Sequence, residues 1–165
     1  MPNFEVPEGG YDGSEVTITF YHTMDATKRA NLDAYIEEFN ALYPNIHIVH
    51  SPVGGYDDVR DQISTEITTG NQPNIAYCYP DHVALYNLAQ AVTQLDNLIE
   101  SDITVTHADG TTEVLGLTDE QKADFVEGYY NEGKMFGDGL MYTMPMSKST
   151  EVLYYNKTFF EANNL

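Results

Sequence analysis

The sequence predicts an α/β fold in which a mostly parallel sheet is flanked by helices. Three observations support this: strand-like and helix-like segments alternate from Glu15 onward, the strand-like segments are rich in β-branched residues, and the helix-like segments carry apolar residues at steps of three and four. Alternation of this kind is typical of units in which a helix carries the chain back to begin the next parallel strand.

The first strand is predicted over residues 16–20, where β-branched residues alternate with others. A helix follows, with Asp25 or Thr27 as its N-cap, and it ends before Pro44, which cannot continue a helix. The apolar stripe of this helix consists of Leu32, Tyr35, Ile36, Phe39 and Leu42.

The same alternation continues through two more strands. A second strand is predicted at residues 46–49 and a third at residues 75–78. The helix between them is indicated by apolar residues at four-residue steps within residues 59–67. Turn residues at 51–55 and 70–73 separate these elements, which favours a parallel arrangement of the three strands.

The second half of the chain is predicted to be less regular. A short helix is expected over residues 81–88, and residues 101–117 resemble an inserted hairpin that turns at residues 109–110, an Asp-Gly pair. Thr118 and Gln121 form a capping box. The helix that they start is expected to run through Val126, and two strand-like runs, at residues 140–145 and 152–155, are joined through Pro145.

The charge is strongly acidic and limits the partners. The chain has 26 acidic and 7 basic residues among 165, a net charge of −19. Such a field repels nucleic acid and anionic lipid headgroups, so a nucleic-acid partner is not expected. Cys78 is the single cysteine, so no intrachain disulfide forms, and we expect it to behave as a small buried hydrophobe. No run of apolar residues is long enough to span a membrane.

No constellation in the sequence indicates catalysis or metal binding. Asp57, Asp58 and Asp61 share a predicted helix but have no histidine partner, so a solvated acidic face is the favoured interpretation. His47 and His50 are three apart on a strand and point to opposite faces. We therefore expect no cofactor, no metal and no enzyme activity.

Five motifs carry a family resemblance, and they span residues 18–24, 38–44, 69–75, 142–145 and 152–157. With these motifs in this order, the chain resembles the N-terminal part of the extracellular solute-binding proteins of ABC importers, in the family-1 group of carbohydrate and glycerol-3-phosphate type. Two departures are Tyr21, where the family usually has Trp, and Pro73-Asn74 in place of Pro-Asp.

The resemblance implies a periplasmic-binding-protein-like (type II) lobe and a fragment of a two-lobe protein. Residues 1–14 would be a flexible leader, and residues 15–146 the first part of the N-terminal lobe. Residues 147–151 would form the first hinge crossing, and residues 152–165 the truncated start of the second lobe. Because its own lobe would be missing, we expect the segment 152–165 to be poorly packed or to pair with another copy.

Candidate ligand-binding residues lie in loops beyond the carboxyl ends of the predicted strands, where ligands of open α/β sheets bind. In the family, the loop after the first strand often touches ligand, Asp81 and His82 match hydroxyl-binding positions, and Tyr56 and Ser149 match contacts of the glycerol-3-phosphate branch. Pro80 stands where that branch has a carboxylate. The candidates are Tyr21, His22, Asp25, Tyr56, Tyr79, Asp81, His82, Ser147 and Ser149.

The resemblance implies a binding protein that captures an extracellular carbohydrate, an oligosaccharide above all, and delivers it to the transmembrane subunits of an ABC permease. The full-length protein is expected to be monomeric, and either periplasmic or anchored to the cell surface by a lipid, with the signal or anchor segment absent from this chain. A glycerol-3-phosphate or glycerophosphodiester ligand is the alternative, for which Lys148 is the available basic residue. A glycoside hydrolase using Asp81, or a structural lobe without a ligand, are alternatives of another class.

Overall fold

The computed structural model describes residues 2–165, and its helices and strands follow the predicted alternation in the first half of the chain. In chain order the elements are β1 Val16–His22, α1 Ala26–Leu42, β2 Ile46–Pro52, α2 Tyr56–Ile67, β3 Ile75–Ala76, α3 Pro80–Asn87, α4 Asp96–Ile99, β4 Thr104–Thr106, β5 Thr112–Val114, α5 Asp119–Asp124, α6 Glu127–Glu132 and α7 Lys157–Ala162.

The main sheet is parallel, with β1 in the centre and the order β2-β1-β3. β1 and β2 pair over their full length, from Val16 opposite Ile46 to His22 opposite Pro52. β3 pairs only through its two residues, with Ile75 opposite Phe20. The predicted α/β class with a parallel sheet is therefore confirmed.

Successive residues of β1 face opposite sides of the sheet and so build two cores. Phe20 packs with Met24 and with Leu32 of α1 in one buried cluster. The other cluster consists of Val59 and Ile63 of α2 and Tyr86 of α3, with Tyr21 packed against it. Helices consequently cover both faces of the sheet, as a parallel sheet requires.

Carboxylate side chains cap the N-termini of the two long helices, α1 and α2. Asp25, and not Thr27, is the N-cap of α1, and its carboxylate accepts from the backbone N–H of Lys28 at 2.9 Å. In the first turn of α2, the Asp58 carboxylate accepts from the backbone N–H of the N-cap residue, Gly55, at 2.6 Å. A carboxylate at a helix N-terminus also interacts favourably with the helix dipole.

The acidic face of α2 is held by an arginine. Arg60 donates to Asp57 and to Asp61, each at 2.8 Å. Among residues 2–165, no group of three or more His, Cys, Asp or Glu side chains is placed to hold a metal ion.

Asn74 replaces the family's aspartate and extends the pairing of the very short β3. Its Oδ1 accepts from the backbone N–H of Thr19 at 2.9 Å and from the Thr19 hydroxyl at 3.0 Å. The Asn74 backbone N–H in turn donates to that hydroxyl at 3.1 Å. A side chain thus supplies bonds that a longer strand would make with its backbone.

The hairpin and the capping box form as predicted. β4 and β5 are antiparallel, and Gly110 in their turn adopts φ +87°, a conformation that favours glycine. Gln121 donates its backbone N–H to the Thr118 hydroxyl at 3.2 Å, and its side chain accepts from the Thr118 N–H at 2.9 Å. The hairpin is tied to the end of α1, because the Tyr43 hydroxyl donates to Glu113 at 2.8 Å.

Three predicted elements of the second half are wrong. The helix begun at Thr118 ends at Asp124, and the extended backbone of Val126, with ψ 115°, separates it from α6. The runs at 140–145 and 152–155 are not strands. α7 was not predicted; its N-cap Asn156 accepts from the Phe159 N–H at 3.0 Å.

The two ends of the chain differ in their contacts. Residues 2–14 touch the body of the fold: Asn3 forms an isolated parallel bridge with Gln94, and the Tyr11 and Tyr43 rings lie 6.2 Å apart. The side chains of residues 150–165, in contrast, are exposed throughout, with Tyr154 at 91%. Within residues 2–165, no helix combines the length and the apolar character needed to cross a lipid bilayer.

The segment that follows α6 returns to pack on it and on α4. Met141 is buried, its N–H donates to Asp96 at 2.9 Å, and its carbonyl accepts from the Leu95 N–H at 2.8 Å. The Tyr142 N–H donates to the carbonyl of Gly133 at 2.9 Å. These bonds fix where residues 143–149 begin their path across the sheet edge.

Substituting Gly133 by alanine tests this packing. A Cβ at Gly133 would overlap the carbonyl oxygen of Thr143 and the Met141 side chain, so Gly133→Ala should lower the free energy of unfolding by about 2 kcal/mol or more in urea denaturation. Gly128→Ala, in the same helix but with open space around it, should be neutral or slightly stabilising. Equal effects of the two substitutions would contradict the packing of residues 141–143 on α6.

Removing the Tyr21 hydroxyl tests the packing on the other face of β1. This hydroxyl donates to Glu66 of α2 at 3.2 Å in a half-buried setting. Tyr21→Phe should cost about 1 kcal/mol of unfolding free energy, since Glu66 loses one of its donors. Tyr35→Phe, on the exposed face of α1, should change stability by less than about 0.5 kcal/mol. No difference between the two variants would argue against the Tyr21–Glu66 bond.

Candidate functional site

The candidate site lies at the carboxyl edge of the parallel sheet. Because β1, β2 and β3 run in the same direction, their ends meet at one edge. The residues that follow them, 23–25, 53–55 and 77–79, form neighbouring loops there. This is the edge at which open α/β sheets bind ligands.

Three tyrosines stack at this edge and form its main surface, which we call the tyrosine stack: Tyr56, Tyr77 and Tyr79. Tyr56 begins α2, and its ring lies 4.4 Å from the Tyr79 ring and 6.3 Å from the Tyr77 ring, centroid to centroid. The planes are inclined by 28° and 11°, so the rings are nearly parallel. Tyr79 is 49% exposed and forms the open end of the stack.

Tyr77 joins the stack to the core. Its ring meets Phe20 edge-on at 5.6 Å and His22 at 6.2 Å. Burial raises the pKa of the Tyr77 phenol, so it remains a neutral hydroxyl over the physiological range. Tyr77 was not predicted as a site residue because it was assigned to a strand. Its position directly after a short parallel strand is the signal that could have identified it.

Two of the predicted site residues form the start of α3. Tyr79 is the N-cap, and His82 accepts from its backbone N–H at 3.4 Å while being almost fully buried. Asp81, in the first turn, is exposed. His82 therefore orients the start of α3, whereas Asp81 is open to solvent.

A cleft of about 490 Å³ separates the start of α3 from the region around the end of α6. Asp81 lines it on one side and Glu132 on the other, so it is acidic, and Met135 and Phe136 provide apolar wall. Its lining residues are Pro80, Asp81, Ala84, Glu132, Met135 and Phe136.

A smaller groove of about 160 Å³ lies between the first half of α1 and residues 146–147. Ser147 reaches it beside Tyr77, and Lys28 borders it from α1. The Lys28 ammonium is paired with Asp25 at 3.2 Å. Ser149 lies two residues further along the chain and is exposed.

Lys148, between these two serines, is held by α6. Its ammonium pairs with Glu132 and lies 5.8 Å from the centre of the Tyr129 ring. Lys28 and Lys148 are therefore each already matched by a carboxylate.

His22 lies behind the edge and is fully buried. Its Nδ1 accepts from the Met24 N–H at 3.1 Å, and its Nε2 lies 2.9 Å from Nδ1 of His50. Burial, and after it the positive charge that His50 and Arg29 place nearby, lowers the pKa of His22. The ring is accordingly neutral at pH 7.

The predicted residues fall into two groups. Asp25, Tyr56, Tyr79, Asp81, Ser147 and Ser149 lie at or beside the open edge. Tyr21, His22 and His82 lie behind it, and Tyr21 faces the α2 side of the sheet through its bond to Glu66. Contact of each with a ligand stays a prediction.

Cys78 adjoins the site but is poorly suited to nucleophilic chemistry. Burial, with the Asp81 carboxylate nearby, raises the pKa of its thiol to about 11. The thiol therefore stays protonated at neutral pH, and a thiol is a far weaker nucleophile than a thiolate. The residues at the edge can therefore interact with a ligand by aromatic stacking and hydrogen bonding.

Comparison with known proteins gives matches over most of the chain. A family model described as bacterial extracellular solute-binding protein matches residues 34–165. The sn-glycerol-3-phosphate-binding periplasmic protein of Escherichia coli K12 is 28% identical over 149 residues, which are 90% of this chain and 31% of that protein. The chain thus spans about a third of the length of the curated relatives that it matches.

Solved structures of similar fold include two bacterial proteins. The cyclic α-maltosyl-1,6-maltose-binding protein of Arthrobacter globiformis superimposes with a TM-score of 0.55 at 20% identity, over 77% of this chain and 27% of that one. A protein from a study of xylan utilisation by Caldanaerobius polysaccharolyticus gives 0.53 at 19% identity, over 77% and 28%. These likenesses concern the fold. The family match over residues 34–165 shows that the chain belongs to the bacterial extracellular solute-binding proteins.

Proposed function

We propose that the protein is the substrate-binding component of an ABC importer, and that it captures a carbohydrate, most often an oligosaccharide, at the carboxyl edge of its sheet. The observation that carries this proposal is the tyrosine stack, Tyr77-Tyr56-Tyr79, with its open end at Tyr79. Membership of the solute-binding family supports the role in transport.

A stack of phenol rings suits a sugar for a physical reason. The C–H faces of a pyranose are apolar and pack against flat aromatic faces, while its hydroxyls need hydrogen-bond partners around the rim. Tyr79 offers such a face, and Asp81 beside it offers an acceptor of two or more hydroxyl protons. Ser147 adds a hydroxyl beside Tyr77, and Ser149 adds an exposed one two residues further along the chain.

The residues behind the edge have a supporting role in this proposal. His82 holds the N–H of Tyr79, and His22 holds that of Met24, so each fixes the backbone of one loop. Tyr21 anchors the strand to α2 through Glu66. The ligand would contact the open edge directly and depend on these three side chains for its geometry.

Capture is proposed to proceed by hinge closure. Residues 147–151 would cross to a second lobe, of which residues 152–165 would be the start, and a ligand that touches both lobes would stabilise the closed state. The apolar side chains of residues 152–165 support this division, since they are exposed and are not packed into the two core clusters of residues 2–165. The closed protein would then dock on the permease as a monomer, outside the cytoplasmic membrane, with or without a lipid anchor.

A glycerol-3-phosphate or glycerophosphodiester ligand is the second candidate. The printed name of the curated relatives, at 28% identity over 90% of this chain, favours it. A phosphate needs uncompensated positive charge or free backbone N–H groups. Lys28 and Lys148 lie near the edge but are paired with Asp25 and Glu132, so a phosphate would have to displace a carboxylate.

We propose that the protein is not an enzyme. Relatives in its family are named for the solutes that they bind. A glycosidase would need two carboxylates about 5–10 Å apart across the scissile bond. Asp81 and Glu132 border one cleft, so the check is direct: release of nitrophenol from nitrophenyl glycosides, abolished by Asp81→Asn, would establish hydrolysis.

Calorimetric titration tests the proposed function. The longest polypeptide that the gene encodes should be titrated with maltotriose, xylotriose, sn-glycerol-3-phosphate and glycerophosphocholine. Heat from a sugar and none from the phosphates supports the first candidate, and the reverse supports the second. If neither these four compounds nor a wider panel of solutes gave binding heat, a role in solute capture would be contradicted. The 165-residue chain alone should bind weakly, because it would present one wall of the cleft.

Truncation of the open end of the stack should weaken sugar binding. Tyr79→Ala removes a half-exposed ring whose loss should cost about 1–2 kcal/mol of binding free energy, or roughly 5- to 30-fold in Kd. Leu88→Ala, at the other end of α3, removes an even more exposed apolar side chain, at 85%, and should leave Kd unchanged. Equal affinity in wild type and Tyr79→Ala would remove the observation on which the proposal rests.

A further inference from the structure

Four groups form a continuous hydrogen-bonded chain from the loop after β1 to the protein surface: the Met24 backbone N–H, His22, His50 and Asp33. The Met24 N–H lies 3.1 Å from His22 Nδ1, His22 Nε2 lies 2.9 Å from His50 Nδ1, and His50 Nε2 lies 2.8 Å from the Asp33 carboxylate. His22 is fully buried, and Asp33 at the far end is exposed.

The direction of every bond in this chain follows from its first member. A backbone N–H can only donate, so His22 Nδ1 must be the acceptor and its proton must be on Nε2. That proton is donated to Nδ1 of His50, so the His50 proton is on Nε2 and is donated to Asp33. Both imidazoles are neutral in this arrangement, and both have the same tautomer.

An additional proton cannot be accommodated without breaking a bond. Each neutral imidazole has one acceptor nitrogen, and both acceptors are in use. Protonation of His22 removes the acceptor of Met24. Protonation of His50 sets two N–H groups against each other, and relieving that contact requires His22 to change tautomer, which again releases Met24.

The groups that face His22 determine how readily this occurs. β2 contributes His50, α1 contributes Arg29 and, through His50, Asp33, and the loop after β3 contributes the ring of Tyr77 at 6.2 Å. Burial and, after it, the charge of Arg29 disfavour positive charge at His22. The pKa of His22 is lowered, so its contribution to stability is complete above the ordinary histidine value of about 6.5 and is lost as pH falls below it.

We propose that His22 and His50 are a pH-sensitive positioning pair: when neutral they hold the loop after β1 and the ring of Tyr77 in place, and acidification releases both. Met24 is itself buried in the cluster with Phe20 and Leu32, so freeing its N–H disturbs the packing beneath the edge. Tyr77 rests on His22 and Phe20 and carries the tyrosine stack. Both supports of the edge therefore depend on one uncharged ring.

The effect on ligand affinity rests on the proposed function, whereas the protonation behaviour of the pair does not. If the stack binds the ligand, affinity should fall once the pH drops below the lowered pKa of His22. One excluded proton changes an equilibrium by at most about tenfold per pH unit, so a loss of up to about tenfold is expected between pH 7.5 and 5.5. Acidification would thus release the solute through protonation of the pair behind the edge, without a change in the charge of the edge itself.

Nuclear magnetic resonance on the ¹⁵N-labelled protein tests the pair without any ligand. At pH 7.5 the ring nitrogens of His22 and His50 should both show the tautomer protonated at Nε2. Between pH 7.5 and 5.5 the Met24 amide should lose about tenfold in hydrogen-exchange protection, after correction for the intrinsic rate, as the rings become protonated. A His22 ring protonated on Nδ1 at pH 7.5, or Met24 protection independent of pH, would overturn the proposal.

Two matched variants separate this pair from other histidines. His22→Asn keeps an acceptor oxygen near the place of Nδ1 but cannot titrate, so the loss of Met24 protection on acidification should shrink by at least about threefold. His47→Asn removes an exposed histidine of the same strand that lies 3.6 Å from Glu15, and it should behave as wild type. Equal pH dependence in all three proteins would contradict the assignment.

Ligand titration at pH 7.5, 6.5 and 5.5, with whichever of maltotriose and sn-glycerol-3-phosphate binds, completes the test. Affinity that falls on acidification in wild type and in His47→Asn, but much less in His22→Asn, supports the proposal. Constant affinity across this range would overturn its functional part. Absence of binding at every pH would count against the proposed function alone, because the resonance measurements would still decide the state of the pair.

Discussion

The parallel pairing of β1 with β2, maintained over seven residues, is the constraint on which the other parts of this structure depend. It places β1 in the centre of the sheet, so that Phe20 points to the core under α1 and Tyr21 to the core under α2 and α3. It also brings the last residue of β1, His22, beside His50 on the neighbouring strand. The two cores and the edge at which ligand is proposed to bind are therefore organised by one strand.

The elements whose signals are local could be predicted from the sequence. Apolar spacing in α1 and α2, the cap at Asp25, the Asp-Gly turn of the hairpin and the Thr118–Gln121 capping box each act within a few residues. The other parts of the second half depend on contacts that are distant in sequence. The strand-forming residues 152–155 have no partner strand within residues 2–165, so their propensity is not realised. The helix predicted from Thr118 is interrupted at Val126, whose backbone is extended. No local sequence pattern predicts this interruption.

The candidate site shows the same division between local and distant information. The loops that form the edge were predicted from strand order, and Tyr56 and Tyr79 meet there. Tyr77 was hidden within a predicted strand that proves to be two residues long. His50 was judged only against His47, on its own strand, whereas its partner His22 comes from β1 through a register that a single sequence does not reveal. Residues that act across strands require the pairing before they can be recognised.

The central claim is that ligand binds to the tyrosine stack at the carboxyl edge of the sheet. Its most direct test is chemical-shift mapping of the ¹⁵N- and ¹³C-labelled protein during titration with maltotriose and with sn-glycerol-3-phosphate. The account predicts that the largest shifts fall on the rings and amides of Tyr56, Tyr77 and Tyr79 and on Asp81, with small shifts in the β4–β5 hairpin. Saturable binding whose shifts are confined to the hairpin or to the outer face of α1 would contradict it.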